Sequence, residues 1–404
     1  MLHHNKVVVF CLLLTLAVAG GSFAQSTVDN PATPSGGIIK VSPVEQWRIG
    51  GDDEDLFFGT IARTQVGPDG NLYILDGQLS QVLVISPDGE HLDTLSKEGD
   101  GPGEVRRPGD FFVSDDGTVN ILNGFPGKVV SIAADGTPIG NVGYSIDGKQ
   151  TQYGVFLRGL ATRDGMILCG INMTFGGGPL SQQNFYLARC DSKGNQINRL
   201  FEKSNTIDYS DFRLTEAGLD FIRARVATGP DGKIYIGKER GDYAITVMTP
   251  DGTVDKVIKR EFKAPARTER QKKIATQIIE AIAVNYRTPL QGSEIEDTEP
   301  AISSITVTDD NRLWVQPGVG DSALPDGTWA IFDVFDPQGI FEKQVALKGS
   351  FNRNRDSVTV LRDGRILVVT GALDAFLNQM GAVKSDESEP EVDPLEVICF
   401  KLEN

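Results

Sequence analysis

Short apolar runs alternate with Asp-Gly turns along most of the chain, and the alternation recurs six times. One apolar run in each repeat ends at a tight turn, and a second starts directly after it. These first turns are Pro68-Asp69-Gly70, Asp115-Asp116-Gly117, Arg163-Asp164-Gly165, Pro230-Asp231-Gly232, Asp309-Asp310-Asn311 and Arg362-Asp363-Gly364. A second turn follows at Pro87-Asp88-Gly89, Ala134-Asp135-Gly136, Ser192-Lys193-Gly194, Pro250-Asp251-Gly252 and Pro337-Gln338-Gly339. The runs are rich in Val, Ile and aromatic residues, as strands are. Several, such as Leu72-Tyr73-Ile74-Leu75 and Ile366 to Val369, are apolar at consecutive positions. A sheet covered on both faces needs that pattern, whereas a sheet with one wet face alternates. In the turns, Asp bonds the backbone ahead of it and Gly takes the positive φ that ends the turn. They therefore read as scaffold and not as calcium loops.

A period of this length marks a radial array of small sheets, here a six-bladed β-propeller of four-stranded antiparallel blades. Strand A precedes the first turn and B follows it; C precedes the second turn and D follows it. The pattern supplies six A, six B and six C strands but five D strands, at His91 to Leu95, Ile139 to Val142, Ile197 to Phe201, Val254 to Ile258 and Phe341 to Leu347. The sixth is expected at Val44 to Ile49, so that an N-terminal strand completes the last blade and removes the sheet edges there. One helical insertion is expected at about 267–284, where Ile274, Ile278 and Ile282 recur every four residues with Ile279 beside them.

Residues 1–24 read as a signal peptide: Val7 to Val18 is apolar but too short to span a bilayer, and Ser22-Phe23-Ala24 offers small residues at the cleavage positions. Residues 25–40, rich in Ser, Thr, Pro and Gly, are expected as a flexible leader, and 41–404 as the propeller. This implies export to the periplasm or the extracellular space, as a soluble protein with no transmembrane segment. The net charge of −16 argues against nucleic acid as a partner. Three cysteines follow the leader, Cys169, Cys190 and Cys399, too few for a disulfide scaffold. Cys169 and Cys190 fall on neighbouring strands about three residues out of alignment, which leaves a bridge or two buried thiols open.

The stretch Glu98-Gly99-Asp100-Gly101-Pro102-Gly103-Glu104, then Arg107-Pro108-Gly109, then Val113-Ser114-Asp115-Asp116-Gly117-Thr118-Val119 resembles a largely uncharacterised family of secreted bacterial six-bladed β-propellers, related in pattern to NHL-repeat propellers. The resemblance runs from about Val44 to Leu402 and implies the fold. Its motifs lie in turns and connections, so it implies no activity.

Almost all variation in loop length falls in the B–C and D–A connections, which share one face, and variable loops on a rigid scaffold are where binding residues gather. That face is the expected working face. Arginines recur just before the inner strands: Arg107, Arg158, Arg223, Arg225, Arg353 and Arg355. They are candidate ligand-binding residues for an anionic group. The alternative is that each ties blades together through carboxylates such as Glu104, Asp110, Asp220 and Asp356. Only His91 remains after the signal peptide, in an outer strand, which excludes a Ser-His-Asp triad and a His-rich zinc site. The first functional expectation is a binding or interaction scaffold for a small anionic, carbohydrate or protein ligand. The alternative is a hydrolase of the lactonase type with one divalent cation held by oxygens such as those of Asp110, Asn172, Asp220 and Asn352. Carbohydrate or peptide binding at Tyr144, Tyr153, Phe156 and Phe175 is a third.

Overall fold

The structure is a computed structural model that describes residues 26–51, 56–151, 153–320, 324–381 and 394–402. The signal-peptide expectation lies outside these residues. Six antiparallel meanders form the blades, at 61–95, 108–143, 154–208, 226–260, 302–348 and, for the sixth, 357–401 joined by 44–50. A strands of neighbouring blades touch one another, as Ile61–Val66 touches Pro108–Val113 and Pro108–Val113 touches Gly154–Thr162. That contact places the A strands around the axis. The Asp-Gly turns form as expected. Asp116 accepts the Thr118 backbone N–H at 3.0 Å and Asp363 that of Arg365 at 3.0 Å, while Gly117 and Gly364 take φ of +84° and +87°.

The ring closes through Val44–Gly50, which pairs antiparallel with Glu396–Lys401 and puts Val44 opposite Lys401 and Gly50 opposite Glu396. Trp47 secures the join. It is buried, and its indole N–H donates to the Pro87 carbonyl of the first blade at 2.9 Å. A Cβ on Gly89 would stand 2.6 Å from that indole, so glycine is required for the approach.

The leader expected at 25–40 is corrected. Ser26–Asn30 lies parallel to Val254–Arg260 as a fifth strand of the fourth blade, and Ile38–Val41 lies parallel to Phe341–Lys348 on the fifth. Composition suggested flexibility, but the outermost strand of a blade leaves a row of unpaired backbone groups, and these two segments fill it. Asn30 pins the path: its side chain donates to the Gly339 carbonyl at 2.9 Å and accepts from the Phe341 N–H at 2.8 Å.

The insertions gather on the B–C and D–A face. In the third blade Gly165–Phe175, Leu180–Asp191 and Gln196–Asp208 run well past the expected strands. Three helices follow: α1 (Glu216–Leu219), α2 (Glu269–Ala283) and α3 (Ala372–Gln379). The expected helix is α2, which starts at a capping box of Thr268 and Gln271. Its buried line is Gln271, Ala275, Ile279 and Ala283, one position round from the expected isoleucines, because Ile279 and Ala283 pack on Ile207, Phe212 and Leu214. Glu216 on α1 accepts from Arg267 at 2.6 Å and from Arg240 at 3.1 Å. Burial alone would raise its pKa, but these arginines and the Glu296 N–H hold it below the usual carboxylate range. Helix α2 also touches α3, so the insertions bridge this face from the third and fourth blades to the sixth.

Cys169, Cys190 and Cys399 are free and buried. Cys190 stands opposite Met166, three places from Cys169, which is why no bridge forms.

Trp47→Ala is expected to cost about 3–5 kcal/mol, by opening a cavity where the first and last blades meet. Urea unfolding monitored by circular dichroism measures this. A loss under about 1 kcal/mol, within the range of ordinary surface changes, would show that the join does not depend on the indole.

Candidate functional site

The A strands do more than line the axis. In blades 1, 2, 3 and 5 the A–B ladder shifts register near the start of strand A. The shifts lie between Ile61 and Arg63, Pro108 and Asp110, Phe156 and Arg158, and Ile302 and Ser304. A bulge re-aims the side chain that follows it. Arg63, Asp110, Arg158 and Ser304 thereby hold equivalent positions around the axis.

Arg63, Asp110 and Arg158 come from three consecutive blades and form one cluster, with Arg223 close enough for its charge to bear on both other arginines. The carboxylate of Asp110 is buried. One oxygen accepts the Gly159 N–H at 2.7 Å and the other lies 3.7 Å from Arg63 Nε. Arg223 donates to the Gly109 carbonyl at 3.4 Å. Arg158 is 8% exposed, and its guanidinium makes no hydrogen bond to any described residue. Three cations thus share one carboxylate. Burial, reinforced by the charges of Arg63 and Arg223, pushes the Arg158 pKa down to about 9, with Asp110 opposing. Burial also lowers that of Arg63, against the pull of Asp110. Arg158 remains a cation at neutral pH, but a poorly stabilised one. The neighbouring Cys169 thiol is pushed up to about 12 by burial, so it is not a nucleophile.

Arg63 and Arg158 line a cavity of about 560 Å³. Its wall comes from the A strands of all six blades and from the A–B turns, including Asp115, Arg163, Asp231, Asp309 and Arg362. The cavity runs toward the smooth A–B turn face, while the insertions bridge the other.

The six candidate arginines separate clearly. Arg158 and Arg223 converge. Arg225 does not: it forks onto Asp220 at 2.9 and 2.7 Å and donates to the Gly237 carbonyl at 3.1 Å. Arg353 clamps the Gly320 and Val319 carbonyls at 3.2 and 2.6 Å, beside a second cavity of about 320 Å³. Arg355 pairs with Asp374 of α3. Arg107 is exposed, and its backbone N–H reaches Ser80 Oγ at 3.3 Å. Arg225, Arg353 and Arg355 therefore all have protein partners, and of the carboxylates named in the alternative reading only Asp220 is among them. Arg63 was missed; its signal was a position six residues before the aspartate of the A–B turn (Asp69), shared with Asp110 before Asp116 and Arg158 before Asp164.

The suggested oxygen ligands of a cation do not form a set. Asp110 faces Arg63, Asp220 is taken by Arg225, and Asn352 accepts the Asn354 N–H at 3.2 Å. Among the described residues no three His, Cys, Asp or Glu are grouped as metal ligands. Of the aromatic candidates, Tyr144 and Phe156 belong to the core, with Tyr144 stacked on Tyr186. Tyr153 and Phe175 are exposed and meet edge to face.

The class is a six-bladed β-propeller. Residues 53–216 match the model of a family described as 6-bladed beta-propeller. No curated protein matches the chain. Among solved structures, a member of the duf4221 family from Bacteroides vulgatus is similar at 10% identity and a TM-score of 0.48, over 90% of this chain and 99% of that one. A luciferin-regenerating enzyme is similar at 10% identity and a TM-score of 0.40, over 88% and 95%. A gluconolactonase from Xanthomonas campestris is similar at 13% identity and a TM-score of 0.38, over 89% and 97%.

Arg158→Met is expected to raise stability, since it removes a buried charge that makes no hydrogen bond to any described residue while Arg63 still faces Asp110. Thermal and urea unfolding read the sign directly. A fall in stability would mean that Arg158 ties the blades together.

Proposed function

We propose that this protein is an exported binding propeller that holds a small anionic ligand at Arg63, Arg158 and Arg223 in its channel, without catalysing a reaction. The observation that carries the reading is the Arg158 guanidinium, buried and without a hydrogen bond to any described residue. A buried cation left unpaired is costly, and natural proteins keep such a group where a ligand completes it. Guanidinium forks match the paired oxygens of carboxylates and phosphates. The same three cations repel a divalent metal, which weighs against a metal-dependent hydrolase. Export rests on the sequence of residues 1–24; no helix among the described residues is long and apolar enough to cross a membrane. The overall charge of −16 makes nucleic acid an unsuitable partner, although it is a polyanion.

Calorimetric titration at low ionic strength, with inorganic phosphate, acetate and larger organic anions, tests the reading. We expect saturable binding that weakens as salt is added and falls at least tenfold in Arg158→Met. The reading fails if no anion in the series binds, or if binding is unchanged in that variant.

A further inference from the structure

The channel wall carries unused hydrogen-bonding groups beyond the arginines. Thr162 Oγ1 is buried without a partner. The hydroxyls of Thr64, Thr228, Thr306 and Thr359, which also line the cavity, make no hydrogen bond to any described residue. These five threonines come from five different blades and all line the cavity. A wall evolved only to pack would bury apolar side chains at such positions, as the A strands do at Val66, Val113, Leu160, Ile305 and Val360. The arginine cluster lies at the strand-entry end of the cavity. The threonines run from there toward the A–B turns, where Thr228 and Thr162 sit at or beside the turn itself.

This arrangement separates two chemistries along one axis. The inner end offers forked cationic donors and a surplus of positive charge. The shaft offers threonine hydroxyls that both donate and accept, among turn residues of both charges such as Asp115, Arg163, Asp231 and Arg362, and such hydroxyls suit alcohols, which do the same. A cavity of about 560 Å³ falls within the range of roughly 300–1,000 Å³ typical of pockets that enclose small organic ligands. An inorganic anion would leave most of this volume, and all five hydroxyls, unused. Trp314, also on the wall, adds an apolar face against which the C–H side of a sugar ring can lie.

We propose that the ligand is a polyhydroxylated anion of sugar size, such as a sugar carboxylate or a sugar phosphate, which enters from the A–B turn face with its acidic group leading to Arg63 and Arg158 and its hydroxyls meeting the threonine-lined shaft. This rests on the anion-binding reading of the same site.

The experiment compares glucuronate, glucose 6-phosphate, neutral glucose, acetate and inorganic phosphate by calorimetric titration of the same protein. We expect glucuronate or glucose 6-phosphate to bind at least tenfold more tightly than the matching acetate or inorganic phosphate. Whichever of the two sugar anions binds more tightly identifies the acidic group. Thr162→Val, which keeps the side-chain shape, is expected to reduce that advantage about fivefold while leaving acetate and phosphate unchanged. Thr306→Val serves as a second variant on a different blade. If acetate or phosphate binds as tightly as its sugar counterpart, or the valine variants keep the full advantage, the polyhydroxylated ligand is wrong and the anion site stands. If glucose binds as well as glucuronate, the acidic group does not lead. If no anion binds, both readings fall together.

Discussion

The pairing of Val44–Gly50 with Glu396–Lys401 holds the sixth blade complete and, through it, the ring. A propeller blade gains most of its burial from its two neighbours, so an incomplete blade weakens two interfaces at once. The join is secured across blades, because Trp47 of the last blade reaches the Pro87 turn of the first. The same N-terminal run first covers the outer edges of the fourth and fifth blades. One continuous segment thus blocks three adjacent sheet edges that would otherwise offer templates for aggregation. The rigidity this gives is what fixes the A strands close enough for Arg63, Asp110 and Arg158 to meet. No pair of these residues is close in sequence, and each stands on a different blade.

A conflict between local and global demands sits at that meeting point. Burial favours neutral groups, and apart from Arg63, Asp110 and Arg158 the A strands carry only uncharged side chains. At one level the bulges turn charged side chains inward, with one carboxylate for three guanidinium groups. Elsewhere the chain gives buried arginines carboxylate partners within hydrogen-bonding distance. Arg225 has Asp220 and a carbonyl, and Arg267 has Glu216 and Glu299. The contrast within one molecule makes the channel cluster the exception. Sites where a sequence departs from its own rule of satisfaction are where function is usually found.

The fold could be read in the sequence because its signals are local. Asp-Gly turns, apolar strand runs and the missing sixth D strand each occupy a few residues, and each led to the observed blade, ring closure and blade number. The two parallel edge strands at Ser26–Asn30 and Ile38–Val41 could not be read this way. Their stability comes from an edge supplied by blades more than two hundred residues away, while their own composition suggests a flexible leader. The candidate site was half legible. Arg158 and Arg223 stood out as arginines before inner strands, but so did Arg225, Arg353 and Arg355, whose partners only the folded chain reveals. Arg63 was hidden by the opposite problem. Nothing in its immediate sequence marks it, and only aligning the repeats on their turns places it level with Asp110 and Arg158. The insertions drew the expectation to the B–C and D–A face, whereas the cavity lined by Arg63 and Arg158 runs toward the A–B turns.

The state of the Arg158 guanidinium when the protein meets its ligand is the point on which the account turns. A crystal structure of the protein grown with an added sugar acid would show it directly. The account predicts an anionic group in the channel within hydrogen-bonding distance of Arg158 and Arg63, with Asp110 still held by the Gly159 N–H. An Arg158 side chain swung away to bond a carboxylate or carbonyl of the protein, beside a channel holding only solvent, would contradict it.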